Sequence, residues 1–126
     1  MRTETQMKNA LQAYVDAYNR NDLAALLALY SDDATVEDPY GTPAKVGKLA
    51  IEDFYRDAML SGAVLRLSAP IRGSMGDSAA MAFEAVVNTP QGEMRVRVID
   101  LMTFNEAGLI TSMRAYFGES DIETAH

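Results

Sequence analysis

Apolar residues recur at helical spacing in three segments of the first half of the chain. In each segment they fall three or four positions apart with polar residues between them, which is typical of an amphipathic helix that buries one stripe. The second segment follows Asn21 or Asp22, either of which can serve as an N-cap. The third extends over 48–59 and ends before Gly62, a common stop signal. The three predicted stripes are Met7, Leu11, Tyr14, Val15 and Tyr18; Leu23, Leu26, Leu27 and Tyr30; and Ile51, Phe54, Tyr55, Ala58 and Met59.

In the second half the pattern changes to an alternation of period two, which predicts β-strands. The turn sequences TPQG and NEAG separate the three longest of them. The strands are expected at 34–38, 64–71, 78–88, 93–104 and 109–117. Helices followed by long antiparallel strands are typical of an α+β domain. We therefore expect one domain over 1–126, in which three helices cover one face of a curved antiparallel sheet.

Composition and charge restrict the function classes. The 126 residues are 48% hydrophobic and 23% charged, as in a soluble globular domain. The net charge of −7 argues against nucleic acid or an anionic membrane as a partner, since both favour a basic surface. The absence of cysteine excludes a disulfide and a thiolate metal site, and a histidine base is disfavoured because the single histidine is the last residue, His126. Carboxylates, phenols, hydroxyls and lysines are left to carry any chemistry.

The cytoplasm is the expected location of the chain. Its first residues, MRTETQMKNA, lack the apolar core of a signal peptide. The longest apolar run, 23–30, is too short to span a membrane.

Two aspartates share the expected inward faces of their strands. Asp100 is the one polar residue among the even-numbered positions of its strand, and Asp38 has the parity of Val36. An ionised carboxylate in an apolar setting is destabilising unless it is paired, and burial raises its pKa. No obvious cation shares the inner face, since Arg95 and Arg97 have the opposite parity.

These aspartates have a structural interpretation and a functional one. Asp38 can cap a turn before Pro39, and Asp100 can pair with a backbone group or with an arginine elsewhere. In the functional interpretation both line one apolar site. Two such residues together favour the functional interpretation.

Three tyrosines lie on the buried stripes of the three predicted helices. They are Tyr14, Tyr30 and Tyr55. Each can be an ordinary core residue whose hydroxyl finds one partner. Alternatively, the three phenols converge, and their chained hydroxyls support one donor aimed into a cavity.

Three segments of the chain resemble bacterial delta-5-3-ketosteroid isomerase, also called steroid delta-isomerase. They are SDDATVEDPYGTP at 31–43, RVIDLMTFNEAG at 97–108 and SMRAYFGES at 112–120. The similarity covers nearly the whole chain. It implies the cone-shaped curved antiparallel sheet and three helices of the nuclear transport factor 2-like fold. It also implies a homodimer that acts on a small apolar steroid without a metal or an organic cofactor.

The resemblance also assigns roles to individual residues. Asp38, in the VEDP motif, matches the general base of the family. Tyr14 and a protonated Asp100 match the two donors of its oxyanion hole, and Tyr30 and Tyr55 match tyrosines that hydrogen-bond behind Tyr14. The residues that match the apolar substrate site are Phe54, Phe83, Met113 and Phe117.

The implied reaction moves the C=C bond of a 3-oxo-delta-5-steroid into conjugation with its ketone. The base takes a proton from carbon 4 and returns it to carbon 6 by way of a dienolate. Other functions stay open: an epoxide hydrolase or polyketide cyclase on the same fold, a non-catalytic binder of apolar ligands, and a scaffold. The combination of Tyr14, Asp38 and Asp100 favours the isomerase.

The outward face of the strand predicted at 93–104 mixes arginines with apolar residues. Ile99 and Leu101 share this face with two arginines, so a second, partly apolar sheet face is expected, and a homodimer would cover it. The acidic tail, 119–126, is expected to be solvated.

Overall fold

The computed structural model describes residues 2–124, and within them the chain forms three helices and seven strands. In chain order they are α1 (Glu4–Asn19), α2 (Leu23–Leu27), β1 (Tyr30–Glu37), β2 (Lys45–Val46), α3 (Lys48–Leu60), β3 (Val64–Leu67), β4 (Ser78–Thr89), β5 (Gly92–Phe104), β6 (Ile110–Tyr116) and β7 (Ile122–Thr124). A 3-10 turn precedes β7. The inference drawn from His126 lies outside the described residues. Within them, no helix combines the length and the hydropathy that a membrane span requires.

The strands form one curved sheet in the order β2-β1-β6-β5-β4-β3, with β7 beside β5. The predicted α+β architecture of three helices against a curved sheet is confirmed. The sheet is mixed, however, because β1 and β6 run parallel while the other pairs are antiparallel. Short turns after β4 and β5 impose antiparallel neighbours. The strands β1 and β6 lie far apart in the chain, so no turn dictates their direction.

The first two helices begin at capping residues that the sequence supplies. Thr3 caps α1 in a reciprocal capping box with Gln6, and the Asp22 side chain accepts a hydrogen bond (3.0 Å) from a backbone N–H in the first turn of α2. Helix α2 has only five residues, and Tyr30 is the first residue of β1 instead of the last member of the helical stripe. Tyr30 pairs with Ile110 of β6. This strand pairing is favoured over an extension of α2, because so short a helix has little stability of its own.

Helix α3 packs over β1 and follows the two-residue strand β2, which the sequence pattern did not reveal. Gly47 joins β2 to α3 with φ at +86°, a value that strains other residues. Its N–H donates to the carbonyl oxygen of Ala34 in β1 (2.8 Å). The helix buries Ile51 and Tyr55 and extends one residue beyond the predicted segment 48–59.

The parity predicted for β5 is confirmed. Asp100 and Met102 are buried on its inner face, whereas Ile99 on the outer face is 52% exposed. The core lies between this inner face and the helices, with α1 against β3 and β4 and α3 against β1.

The end of α1 is tied to the edge strand β3. The Asn19 amide group donates to the carbonyl oxygen of Leu65 (2.9 Å), and its side-chain oxygen accepts a hydrogen bond from the Leu65 N–H (2.8 Å). These bonds satisfy backbone groups that an edge strand otherwise leaves open. They also hold Leu65, whose side chain is buried, in a fixed place below α1.

The acidic tail is largely exposed, as expected, over its described residues, and it also forms regular structure. Strand β7 pairs with β5, where Ile122 lies opposite Val96, and Glu123 forms an ion pair with Arg97. An open edge explains this pairing, because β6 pairs with β5 only from Ile99 onwards and leaves the first half of β5 free on that side. The side chains of β7 stay exposed, so β7 contributes backbone hydrogen bonds to the sheet and no side chain to the hydrophobic core.

Candidate active site

An apolar cavity of about 150 Å³ lies between α1, α3 and the inner face of the sheet. A wider surface groove of about 600 Å³ adjoins it and shares Phe54 and Ala58 in its wall. Seven of the nine predicted site residues line the cavity. They are Tyr14, Asp38, Phe54, Tyr55, Phe83, Asp100 and Phe117. The side chains predicted from the sequence thus lie around one cavity, to which α1, α3 and the sheet each contribute.

Asp100 lies deep in this cavity, in the middle of β5. Its side chain is 1% exposed and stands between Val98 and Met102 on the inner face. Neither carboxyl oxygen has a hydrogen-bond partner within residues 2–124, so the pairing with a backbone group or an arginine is not formed. Burial raises the pKa of Asp100 well above its usual range, and the nearby charge of Asp38 raises it further. The carboxyl group is therefore neutral at neutral pH and has a proton to donate.

Asp38 occupies a less enclosed part of the same cavity, directly after the end of β1. Burial raises its pKa from 3.8 to about 6, so it is mostly ionised at neutral pH. The turn after it is held by other groups: the Tyr40 N–H donates to the carbonyl oxygen of Ala115 (2.7 Å) and the Thr42 N–H to that of Pro39 (3.1 Å). Within the described residues the Asp38 carboxylate makes no hydrogen bond to this turn, which leaves it available to a ligand.

A cation does act on the inner face, contrary to the sequence analysis. The charge of Lys45 lowers the pKa of Asp38 and opposes the larger effect of burial. Lys45 belongs to β2, the strand that the sequence pattern did not reveal, and this is why its position could not be anticipated.

The three tyrosines form one chain of buried hydroxyl groups. The hydroxyl oxygens of Tyr14 and Tyr55 are 2.8 Å apart, and those of Tyr55 and Tyr30 are 2.6 Å apart. Tyr30 reaches the chain from β1 and lies behind Tyr55, outside the cavity lining. Burial raises the pKa of all three phenols, so they stay neutral. With Tyr30 donating to Tyr55 and Tyr55 donating to Tyr14, the chain polarises Tyr14 and makes its hydroxyl a better donor toward the cavity.

Four aromatic side chains belong to the remaining wall. Phe54, Phe83 and Phe117 contribute from α3, β4 and the segment after β6. Met113 is fully buried on β6 and belongs to the core behind the lining. Tyr18 lines the cavity although it is not among the predicted site residues. Its spacing of four residues from Tyr14 on the same helical stripe was the available signal.

The arrangement suits proton transfer at a carbon next to a carbonyl group. One carboxylate is ionised and accessible, while a neutral carboxyl group and a neutral phenol in the same apolar cavity can donate hydrogen bonds. A low-dielectric site strengthens such donors when negative charge develops on a substrate oxygen. Among residues 2–124, His, Cys, Asp and Glu side chains form no group of three that could hold a metal ion.

The sequence profile of the SnoaL-like domain matches residues 11–113. The chain belongs to this family. A "Steroid Delta-isomerase" from Nocardioides simplex is 37% identical over 117 residues, which cover 93% of this chain and 94% of that protein. The resemblance inferred from the sequence is therefore confirmed.

Two other proteins that are similar to this chain have different names. "Epoxide hydrolase LasB" of Streptomyces lasalocidi is 29% identical over 125 residues, or 96% of this chain and 44% of that longer protein. The solved structure of the epoxide hydrolase/cyclase-like enzyme SalBIII, described for pyran ring formation in polyether salinomycin, has a TM-score of 0.88 and 25% identity. It covers 97% of this chain and 98% of SalBIII. These matches confirm the nuclear transport factor 2-like fold, and the three similar proteins are enzymes.

Asp38→Asn is expected to stabilise the folded protein at neutral pH. The pKa of Asp38 is about 6 in the folded protein against an ordinary 3.8, so the unfolded chain releases this proton first and stability falls as the pH rises through that window. This difference between the two pKa values corresponds to a loss of roughly 3 kcal/mol at most in the free energy of unfolding. Urea denaturation should show a gain of up to that amount for Asp38→Asn at pH 8 and little gain at pH 3.5.

Asp32→Asn is the matched control, because the Asp32 side chain is fully exposed. It should change the free energy of unfolding by about 0.5 kcal/mol or less at both pH values. An equal effect of the two substitutions at pH 8 would show that ionised Asp38 is not destabilising.

Proposed function

We propose that this protein is a steroid delta-isomerase, which converts 3-oxo-delta-5-steroids to the conjugated 3-oxo-delta-4-steroids. The observation that carries the proposal is the meeting of an ionised Asp38, a neutral Asp100 and a neutral Tyr14 in one apolar cavity. The relative from Nocardioides simplex that bears this name gives independent support.

Each of the three side chains has a part in the reaction. The Asp38 carboxylate removes a proton from carbon 4, and the electron pair of that C–H bond moves toward the carbonyl group to form a dienolate. Tyr14 and Asp100 donate hydrogen bonds to the carbonyl oxygen as it becomes negative. The proton on Asp38 then passes to carbon 6, which leaves the remaining C=C bond in conjugation with the ketone.

The protonation states make this division of roles effective. A base with a pKa of about 6 is ionised at neutral pH and is stronger than an ordinary aspartate, which favours removal of a weakly acidic proton. Asp100 can donate only while it is protonated, and its burial keeps it so. Exchanging these environments would leave the site with neither a base nor a second donor.

The size of the cavity bears on how a steroid binds. Its volume of about 150 Å³ is below the roughly 300–1,000 Å³ of pockets that enclose drug-sized ligands. The reacting ring enters the cavity under this proposal, and the remote rings lie along the adjoining groove, next to Phe54 and Ala58.

A second candidate is the opening of an epoxide, as an epoxide hydrolase or cyclase. The names of LasB and SalBIII favour it. The same carboxyl groups suit this chemistry, since neutral Asp100 can protonate the epoxide oxygen while Asp38 activates the attacking hydroxyl group. The chain of three hydroxyls that ends at Tyr14 favours the isomerase, because it supports a second donor to a single oxygen.

The isomerase is tested by incubating the protein with a 3-oxo-delta-5-steroid and following the ultraviolet band of the conjugated ketone. We expect turnover by the wild-type protein and a loss of about 10²- to 10⁴-fold in kcat for Asp38→Asn, with steroid binding retained. Asp32→Asn should keep wild-type activity. No band from a folded sample, together with turnover of an epoxide substrate, would favour the second candidate, and steroid binding without either reaction would indicate a non-catalytic binder.

The role of Asp100 as a donor is tested by a pair of substitutions. Asp100→Ala removes the donor and is expected to lower kcat by roughly 10²- to 10³-fold. Asp100→Asn keeps an N–H donor in the same place and should retain a much larger share of kcat. Equal losses in two folded variants would contradict hydrogen-bond donation by Asp100.

The proposal includes a homodimer formed through the outer face of the sheet. Ile99 and Tyr116 lie opposite each other on β5 and β6 and are 52% and 40% exposed. They border a depression of about 680 Å³ on that face, which a second copy would fill. Sedimentation velocity should give a dimer for the wild type and a monomer for Ile99→Asp, whereas Met75→Asp, in an exposed loop, should remain dimeric. A monomeric wild-type protein would overturn this part of the proposal.

A further inference from the structure

Lys45 stands on the same face of the sheet as the proposed base. In the antiparallel pair of β1 and β2, Lys45 lies directly opposite Val36, and opposed residues point to the same side of a sheet. Asp38 directly follows β1 and lines the cavity on the inner face. The register of β2 and the lining of the cavity thus place Lys45 and Asp38 on one side of the sheet.

The ammonium group of Lys45 is held at the mouth of the cavity. Its Nζ lies 5.2 Å from the centre of the Phe54 ring and 3.5 Å from the carbonyl oxygen of Pro43. A cation over an aromatic face is attracted to it, so the half-buried side chain has a preferred position. Phe54 lines both the cavity and the adjoining groove, and Lys45 lines the groove. The Phe54 ring therefore lies between the ammonium group and the interior of the cavity, and the ammonium group stays next to the cavity.

No carboxylate neutralises this ammonium group at close range. Lys45 takes part in none of the ion pairs within residues 2–124. Asp53 and Asp57 line the same groove but make no ion pair with it there. The charge of Lys45 is consequently available to the other carboxylate nearby, Asp38.

We propose that Lys45 is a positioning residue for catalysis, whose ammonium group, held over the Phe54 ring at the cavity mouth, keeps Asp38 ionised between turnovers. The inference rests on the proposed function, because it assigns Asp38 the role of the base. It adds a residue outside the oxyanion hole and the tyrosine chain.

The other groups that face Asp38 do not replace Lys45. Tyr14 and Tyr18 on α1, Tyr30 on β1 and Asp100 on β5 all lie within electrostatic range of Asp38, and all four are held neutral by burial. None of them stabilises a carboxylate by charge.

Two further ionisable side chains, Glu37 on β1 and Tyr55 on α3, supply no positive charge to Asp38. Glu37 has the opposite parity to Asp38 and pairs with Arg114 of β6 at 3.3 Å. Tyr55 of α3 is a neutral member of the hydroxyl chain. Lys45 is thus the cation whose charge opposes the effect of burial on the pKa of Asp38.

The experiment measures the titration of Asp38 directly, by carbon-13 NMR of its carboxyl group, in the wild type and in Lys45→Met. We expect the midpoint in Lys45→Met to rise by roughly half a unit to one unit, as for one half-buried charge near a carboxylate. The acidic limb of the kcat/KM profile for steroid isomerisation should move in the same direction by the same amount. Added salt should reduce the difference, since it screens a group at the surface.

Two control variants separate charge from structure. Lys45→Arg keeps the cation over Phe54 and should keep the wild-type midpoint. Lys48→Met removes a cation that pairs with Asp32 instead and should leave the midpoint unchanged. An unchanged Asp38 midpoint in Lys45→Met, or an equal rise in Lys45→Arg, would overturn the proposal.

The outcome also distinguishes failure of this inference from failure of the proposed function. The NMR titration requires no turnover. A raised midpoint in Lys45→Met from a protein that does not isomerise steroids would support the electrostatic link and reject the isomerase. Normal isomerisation with an unmoved midpoint would reject the role of Lys45 and leave the isomerase intact.

Discussion

The carboxyl group of Asp100, buried without a partner, is the constraint on which the site depends. A polar group in such a place costs stability unless it finds a hydrogen bond, and within the described residues its two oxygens find none. It is tolerable only as a neutral acid, which requires the apolar neighbours Val98 and Met102 and the closure of the helices over the sheet. The same enclosure raises the pKa of Asp38 less, because Asp38 lies nearer the surface and feels Lys45. The difference in burial thus leaves Asp100 protonated and Asp38 ionised at neutral pH.

The tyrosine chain joins the site to the architecture. Its members come from three elements that are distant in the chain: Tyr14 from α1, Tyr30 from β1 and Tyr55 from α3. The central hydroxyl, that of Tyr55, contacts both of the others, so the complete chain forms only when all three elements are in place. The packing of these elements therefore contributes to the orientation of the Tyr14 donor.

Local patterns explain why so much of this was predictable from sequence, and long-range pairing explains what was not. Alternation within β5 placed Asp100 on the inner face, and helical spacing placed Tyr14 and Tyr55 on buried stripes, because both periodicities depend on neighbours in the chain. The position of Tyr30 in β1, the parallel pairing of β1 with β6 and the strands β2 and β7 depend on partners far along the chain. Lys45 was missed for the same reason, since only the pairing of β2 directs it toward Asp38.

The pairing of β7 with the first half of β5 has a consequence for solubility. Without β7, the backbone groups of residues 94–96 would form an unpaired edge in the middle of a sheet, a template on which another polypeptide can add a strand. With β7 in place the open edge is that of β7 itself, which is only three residues long, and a short edge is a poor template for another strand. The strand β7 thus disfavours edge-to-edge association, although it contributes nothing to the hydrophobic interior.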